Sequence, residues 1–298
     1  MSGGNKVIYW LDDQRILFLG DERVKAPTQA ASKPALLQWQ VGRETKLIRS
    51  GAQMLCLRSG RVMYSVREAD GTRAFYQGEL GRESKVTARH IDLMNCDATA
   101  VRDDRATNRA IRPLLKGHGY LLLGPVFGQQ AMENSPVMLL RESATEGISL
   151  PFGRRELGAI EYYEFRHAYF VRLAHFDPDQ KIATSAWPTG VQRAYWLSPD
   201  GSTARVELPS DVGGPQPTAA GFAYRVFGTR TAKDGIYLFA DGQRRPLMKG
   251  YVTEVATSPD GCHLAFAHAP DEKSNWWGPR NKRTLKVAEL CNAGTSKR

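Results

Sequence analysis

The chain has 298 residues, 42% of them apolar and 24% charged, with 41 Lys and Arg against 31 Asp and Glu for a formal charge of +10. Those proportions belong to a folded globular chain and exclude wholesale disorder, collagen and a disulfide-dense miniprotein. The positive excess favours acidic partners, and no apolar run reaches the roughly 18 to 20 residues that a membrane helix needs.

At the start, Met1-Ser2-Gly3-Gly4 reads as an expression remnant or a disordered lead, and no secretory signal opens the chain. Residues 7–20 are an apolar run, the polar turn Leu11-Asp12-Asp13-Gln14 and a second apolar run. Residues 35–48 predict a second kind of hairpin, and the pair returns at 53–66 and 73–86. Residues 99–115 are the best helical candidate, although more polar than a core helix should be. Hairpins follow at 111–126 and 136–150, then at 160–174 and 193–208. Around 221–227 a second strand has no clear first strand before it, and a hairpin over 235–248 comes next. The last pair is 252–268 and the stretch from Arg283 to the tail. Asp200-Gly201 and Asp241-Gly242 are among the strongest short hairpin signals.

Two hairpins make a four-stranded antiparallel sheet, and a unit recurring every ~40 to 60 residues is the pattern of a β-propeller, whose closure protects sheet edges. The expected fold is all-β, a six-bladed β-propeller of four-stranded antiparallel blades spanning residues 1–298 as one domain. Five or seven blades are the alternatives. A two-layer sandwich would not pair its hairpins so regularly.

Residues 252–261, ending in Ser258-Pro259-Asp260-Gly261, followed by His263-Leu264-Ala265-Phe266, resemble the repeat of TolB-type propellers. In that repeat an S-P-D-G turn joins the inner strand to a second strand ending in apolar-Ala-Phe. Trp10-Leu11-Asp12-Asp13 before Ile16-Leu17-Phe18 is a degenerate copy, and residues 236–247 are similar to the family's outer hairpin. Ser198-Pro199-Asp200-Gly201 carries the same letters between two outer strands, outside the family's register. The likeness covers three units and is diffuse from 89 to 166. It implies periplasmic partner binding, with no interface residue carried over by motif.

On this architecture Cys262 begins the second strand of the last blade and Cys291 ends its third, which puts the two within expected disulfide reach. For Cys56, mid-strand in the second blade, and Cys96, in the connection after it, two separate buried thiols is the favoured reading and a meeting of the two the alternative. One bridge favours an oxidising compartment, periplasmic or secreted, over a cytoplasmic one. The last blade is expected to have three strands, or a fourth supplied only by the short tail.

The hydrolase elbow, the nucleotide-cradling glycine motifs, H-E-x-x-H and zinc-type cysteine spacing are all missing from the sequence. Neither a cofactor nor a metal is expected. A carbohydrate-active propeller would draw an axial pair of acids from Glu161, Glu164, Asp92, Asp97 and Asp103, yet Glu161 and Glu164 have opposite parity in a strand. Asp103-Asp104-Arg105 reads better as a solvated loop. The connection 271–283 in the last blade holds Lys273, Trp276, Trp277, Arg280, Lys282 and Arg283, and Trp and Arg dominate interface energetics. The competing reading is that these indoles cap a gap between blades. Trp187 sits in the corresponding connection of the fourth blade, and the linker 90–112 adds His90, Asp92, Arg102 and Arg105. All three segments are expected on one face, that of the linkers between blades.

The functional expectation is a non-enzymatic, monomeric propeller that binds a protein partner, acidic in character, through that face in the cell envelope. The alternatives are a carbohydrate-active enzyme and an inhibitor- or immunity-type protein. Basic residues are dispersed and no aromatic-basic stacking platform emerges, so nucleic acid is not the favoured partner.

Overall fold

The computed structural model describes residues 7–23, 32–58, 60–86, 102–104, 109–125, 135–142, 144, 146–173, 193–208, 213–226, 234–269 and 283–291. Regular structure among them is β, apart from two 3-10 turns, Leu115–Gly117 and Glu164–Arg166. The first sheet is β1 (Ile8–Trp10), β2 (Arg15–Arg23), β3 (Ser32–Gln40) and β4 (Thr45–Ser50). The second is β5 (Ala52–Arg58), β6 (Arg61–Arg67), β7 (Arg73–Glu79) and β8 (Ser84–Val86). The third holds β9 (Arg102–Asp104), β10 (Arg109–Pro113), β11 (Tyr120–Pro125), β12 (Pro136–Leu140) and β13 (Ile148–Gly153). The fourth is β14 (Leu157–Tyr163), β15 (Ala168–Leu173), β16 (Arg193–Leu197) and β17 (Thr203–Glu207). The fifth is β18 (Gly213–Thr218), β19 (Gly221–Val226), β20 (Gly235–Ala240) and β21 (Gln243–Lys249). The sixth is β22 (Tyr251–Thr257), β23 (His263–Ala269) and β24 (Thr284–Glu289).

Each sheet pairs its strands in chain order. The fold is all-β, and six antiparallel meanders of this kind fit propeller blades. Such a meander leaves its second-to-third connection and its exit to the next sheet at one end, called the linker end below. The turns between first and second strands lie at the other.

Three expectations are corrected. The third sheet has five strands, because β9 adds beside β10 with Asp104 opposite Arg109 and Arg102 opposite Ile111. Asp103 and Asp104 thus belong to a strand. The helical candidate over 99–115 is β9 and β10 in its described part, since Ile111, Arg112 and Pro113 pair with Leu122, Leu121 and Tyr120. A polar stretch with no apolar helical stripe gains more from that ladder than from a helix it cannot bury. The first strand missing ahead of 221–227 is β18, Gly-Gly-Pro-Gln-Pro-Thr, whose composition reads as loop. Proline is tolerated in an edge strand because the outward N–H has no ladder partner to lose.

The sixth sheet has three strands among the described residues. Its turn Ser258-Pro259-Asp260-Gly261 joins β22 to β23, and Gly261 (φ 74°) supplies the positive φ.

Packing divides the chain into two compact units, residues 97–217 and residues 2–96 with 218–298. In the first, Leu121, Leu123, Val137, Leu139, Leu150 and Phe152 of the third sheet pack on Ile160, Tyr169, Val171 and Leu197 of the fourth. In the second, three clusters join sheets face to face. Ala223 and Ile236 meet Val252, Leu264 and Phe266. Ile8, Trp10 and Ile16 meet Ala256 and Ala265. Leu17 and Leu36 meet Ala52, Leu55, Val62 and Tyr64. Alternation produces these faces: β12 reads exposed, buried, exposed, buried over Pro136–Leu139.

Candidate functional site

Seven residues expected at the partner face, Trp276, Trp277, Arg280, Trp187, His90, Asp92 and Arg105, lie outside the described residues. Arg102 lies in β9, opposite Ile111. What is described of the linker end is therefore the strand termini that frame it.

Those termini carry a repeated feature. Arg73 and Arg193 are the first residues of β7 and β16, and Arg283 immediately precedes β24. Each begins the third strand of its sheet, and each is exposed. All three reach back across the second strand to the first. Arg73 Nη1 lies 3.8 Å from Met54 Sδ on β5. Arg193 Nη2 pairs with Glu156 Oε1 at 2.7 Å, next to β14. Arg283 Nη1 donates to Thr253 Oγ1 on β22 at 3.2 Å, with its guanidinium 5.8 Å from the Tyr251 ring centre. Each contact holds the guanidinium itself at the sheet end, while the residue remains exposed. Arg67 stands directly opposite Arg73, and like charges facing each other across strands repel.

In the sixth sheet the same end is further ordered. His268 is buried and its Nε2 donates to the Lys249 carbonyl at 2.8 Å. Glu254 sits at φ 49° in a register shift of β22 between Thr253 and Val255. A bulge re-aims a side chain, and positive φ in a non-glycine residue is held only by its surroundings.

At the opposite end, the S-P-D-G turn is a closed hydrogen-bond system. Asp260 accepts from the Cys262 amide at 2.9 Å, contacts the Ser258 hydroxyl, and lies 3.6 Å from His263 Nδ1. Burial pulls its pKa up, but the Ser258 and Cys262 hydrogen bonds and the His263 ring outweigh that and hold it below the usual carboxylate value. Cys262 and Cys291 form a disulfide with a Cα–Cα distance of 5.1 Å, beside a Leu290 N–H to Cys262 carbonyl bond of 2.8 Å. Cys56 is also disulfide-bonded, which corrects the favoured reading of it as a separate buried thiol; Cys96 lies outside the described residues. Nearby, Asp12, Asp13, Gln14, Arg15 and Gln40 line an open recess of about 330 Å³.

The acids weighed for hydrolysis do not converge among the described residues. Glu161 Oε2 accepts from the Tyr163 hydroxyl at 3.0 Å, and Gln216 Nε2 donates to the same phenol oxygen at 2.6 Å. Burial and the Glu161 charge push the Tyr163 pKa well above its usual value, so this phenol stays protonated. Glu164 is exposed in the turn beyond β14. Asp92 and Asp97 lie outside the described residues. Among the described residues no cluster of three His, Cys, Asp or Glu is placed to hold a metal, and no helix is long and apolar enough to cross a membrane.

The sequence reading named Arg283 but missed Arg73 and Arg193. The available signal was positional, since all three open a third strand.

No protein-family model matches the sequence, and no curated protein matches it. The chain is similar to the β-propeller domain of the Trilobed protease from Pyrococcus furiosus at 9% identity and a TM-score of 0.37, over 95% of this chain and 83% of that one. It is similar to TolB from Acinetobacter baumannii at 10% identity and a TM-score of 0.35, over 94% and 67%. A luciferin-regenerating enzyme aligns at 10% identity and a TM-score of 0.38, over 96% and 91%. Likenesses this distant carry no argument for activity, and the fold rests on the sheets themselves.

Proposed function

We propose that this chain is a single-domain, six-bladed propeller of TolB type that binds an acidic protein partner through the linker end of its blades, without catalysing a reaction. The observation that carries the reading is the arginine at the start of the third strand in two sheets of one unit, Arg73 and Arg283, each braced on the first strand and exposed; Arg193 repeats the feature within the other unit. A braced guanidinium loses little rotamer freedom on binding and presents a planar fork to carboxylates. Opposed Arg67 and Arg73 are relieved by an anion lying between them. The Trp276 and Trp277 segment leads into Arg283 and supplies the apolar anchors that such an interface needs. Two bridges, one at Cys56 and one joining Cys262 to Cys291, favour an oxidising compartment, periplasmic or secreted.

The test is affinity capture from native extract at two salt concentrations with the wild-type chain, R73E/R193E/R283E and W276A/W277A. The expected result is one captured protein that is lost with either variant and released by salt. Capture unchanged in both variants overturns the reading.

A further inference from the structure

The positive excess is not spread evenly over the sheets. In the unit formed by residues 2–96 and 218–298, successive face-to-face packing runs from the fifth sheet to the sixth, the first and the second. Among the described residues, the last strand of each of these sheets, at a sheet edge, is β21, β24, β4 and β8. These carry Arg244, Arg245 and Lys249, then Lys286, then Lys46 and Arg49, then Lys85, all exposed, against one acid, Glu289. In the other unit, β13 has no charged residue and β17 balances Arg205 with Glu207 at 3.9 Å.

Charge on an outer strand commonly serves to prevent edge-to-edge pairing. That purpose needs charge of either sign, as β17 illustrates, and leaves a seven-to-one bias unexplained. Some of the cations are engaged: Lys85 pairs with Glu68 at 2.9 Å, and Arg49 donates to the Tyr76 hydroxyl at 3.2 Å. Lys46, Arg245, Lys249 and Lys286 make no ion pair with another described residue.

We propose that this strip of outer strands docks an anionic polysaccharide, an unbranched chain carrying sulfate or carboxylate groups. A protein partner fits it poorly, because interface centres are depleted in lysine and built on apolar anchors. The exposed apolar residues of the four strands are Leu47 and Pro246 alone. Single-stranded nucleic acid needs open aromatic faces. Here Tyr64 stacks on Tyr76 with Arg49 over the pair, and Tyr224 stacks on Tyr237 with Arg244 beside it. A bilayer would require inserted apolar side chains beyond one leucine. A flexible polyanion needs only repeated cations in water, and the strip supplies them.

The experiment measures binding of a size-defined heparin oligosaccharide against salt concentration. It compares the wild-type chain with K46Q/R245Q/K286Q, with the linker-end variant R73Q/R193Q/R283Q, and with R205Q. Unfolding midpoints verify that every variant is folded, as expected for exposed positions. Losing three cations on the strip weakens binding by about tenfold and lowers the salt slope by about one per cation removed, whereas the other two variants bind as wild type. Three results overturn the proposal: no binding by the wild-type chain, equal loss in the linker-end variant, or tighter binding of a DNA oligonucleotide or phosphatidylglycerol vesicles through the same three residues. Because different residues are altered, failure here leaves the linker-end reading intact, and the reverse holds too.

Discussion

Asp13 and Asp260, 247 residues apart, are joined by a hydrogen bond of 2.8 Å from the Asp260 amide to the Asp13 carboxylate. It captures the turn of the first hairpin on the S-P-D-G turn of the sixth sheet, beside the Trp10 Nε1–H donated to the Ala256 carbonyl at 3.0 Å. The contact thus pins the first sheet to the sixth within one unit. Asp13→Ala leaves a partly buried amide unpaired, and is expected to cost about 1–2 kcal/mol. Urea unfolding midpoints of the two proteins check it, with Asp13→Glu recovering part of the loss.

The Cys262–Cys291 bridge closes a loop of sequence separation 29. Loop-closure entropy for that length gives roughly 3–4 kcal/mol. C262S/C291S should lose that much unfolding free energy in urea titrations, and reductant should lower the wild-type midpoint further than the variant's. Equal midpoints would remove the bridge as a determinant of stability.

Acid sensitivity follows from Asp260 and Asp12, both held below the usual carboxylate value. For Asp12, burial pulls upward, but the Gln14 and Arg15 amides and the Arg15 guanidinium prevail. A depressed folded pKa contributes stability that is complete above the unfolded value of about 4 and is lost as pH falls through the folded one. Stability should therefore fall below about pH 4, and Asp260→Asn should flatten that limb in a pH series of thermal midpoints.

Tyr163→Phe removes the phenol that Gln216 donates to and that donates to Glu161. Leaving those groups without it is expected to cost about 1–3 kcal/mol. In the wild-type protein, phenolate absorbance during alkaline titration should show one tyrosine that ionises only on unfolding, and that signal should vanish in the variant.

Gly119 has φ +99°, and a Cβ there would lie 2.1 Å from the Leu140 carbonyl oxygen. Gly119→Ala must distort the β11–β12 pairing and should cost at least about 2 kcal/mol. Hydrogen exchange of the β11 amides locates the damage, and unchanged protection there would contradict this account.

The hairpins were legible because strand pairing is local: an alternating or apolar run, a Gly or Asp turn and a second run need no distant information. All six outer hairpins or half-hairpins fall where the sequence puts them, and their bounds at residues 73, 193 and 283 already begin with the three linker-end arginines. Their common role was not visible, because Met54, Glu156 and Thr253 are reached across an intervening strand. β18 and β9 escaped for a related reason. Gly-Gly-Pro-Gln-Pro-Thr and Arg-Asp-Asp have no strand character of their own and are made strands by the neighbours that pair with them.

Charge shows the division most clearly. The sequence by itself determined the total of +10, the all-β class and the turn chemistry of Ser258-Pro259-Asp260-Gly261, since composition and local backbone preference are properties of the chain. Only the tertiary structure decided where the charge stands. Period-two alternation says that Lys46, Arg245 and Lys286 share a face with their own strand neighbours, but not that their strands are edges of adjoining sheets. Packing alone decides which sheets adjoin, in part through contacts between residues more than two hundred positions apart, and so gathers a dispersed excess onto edge strands of one unit.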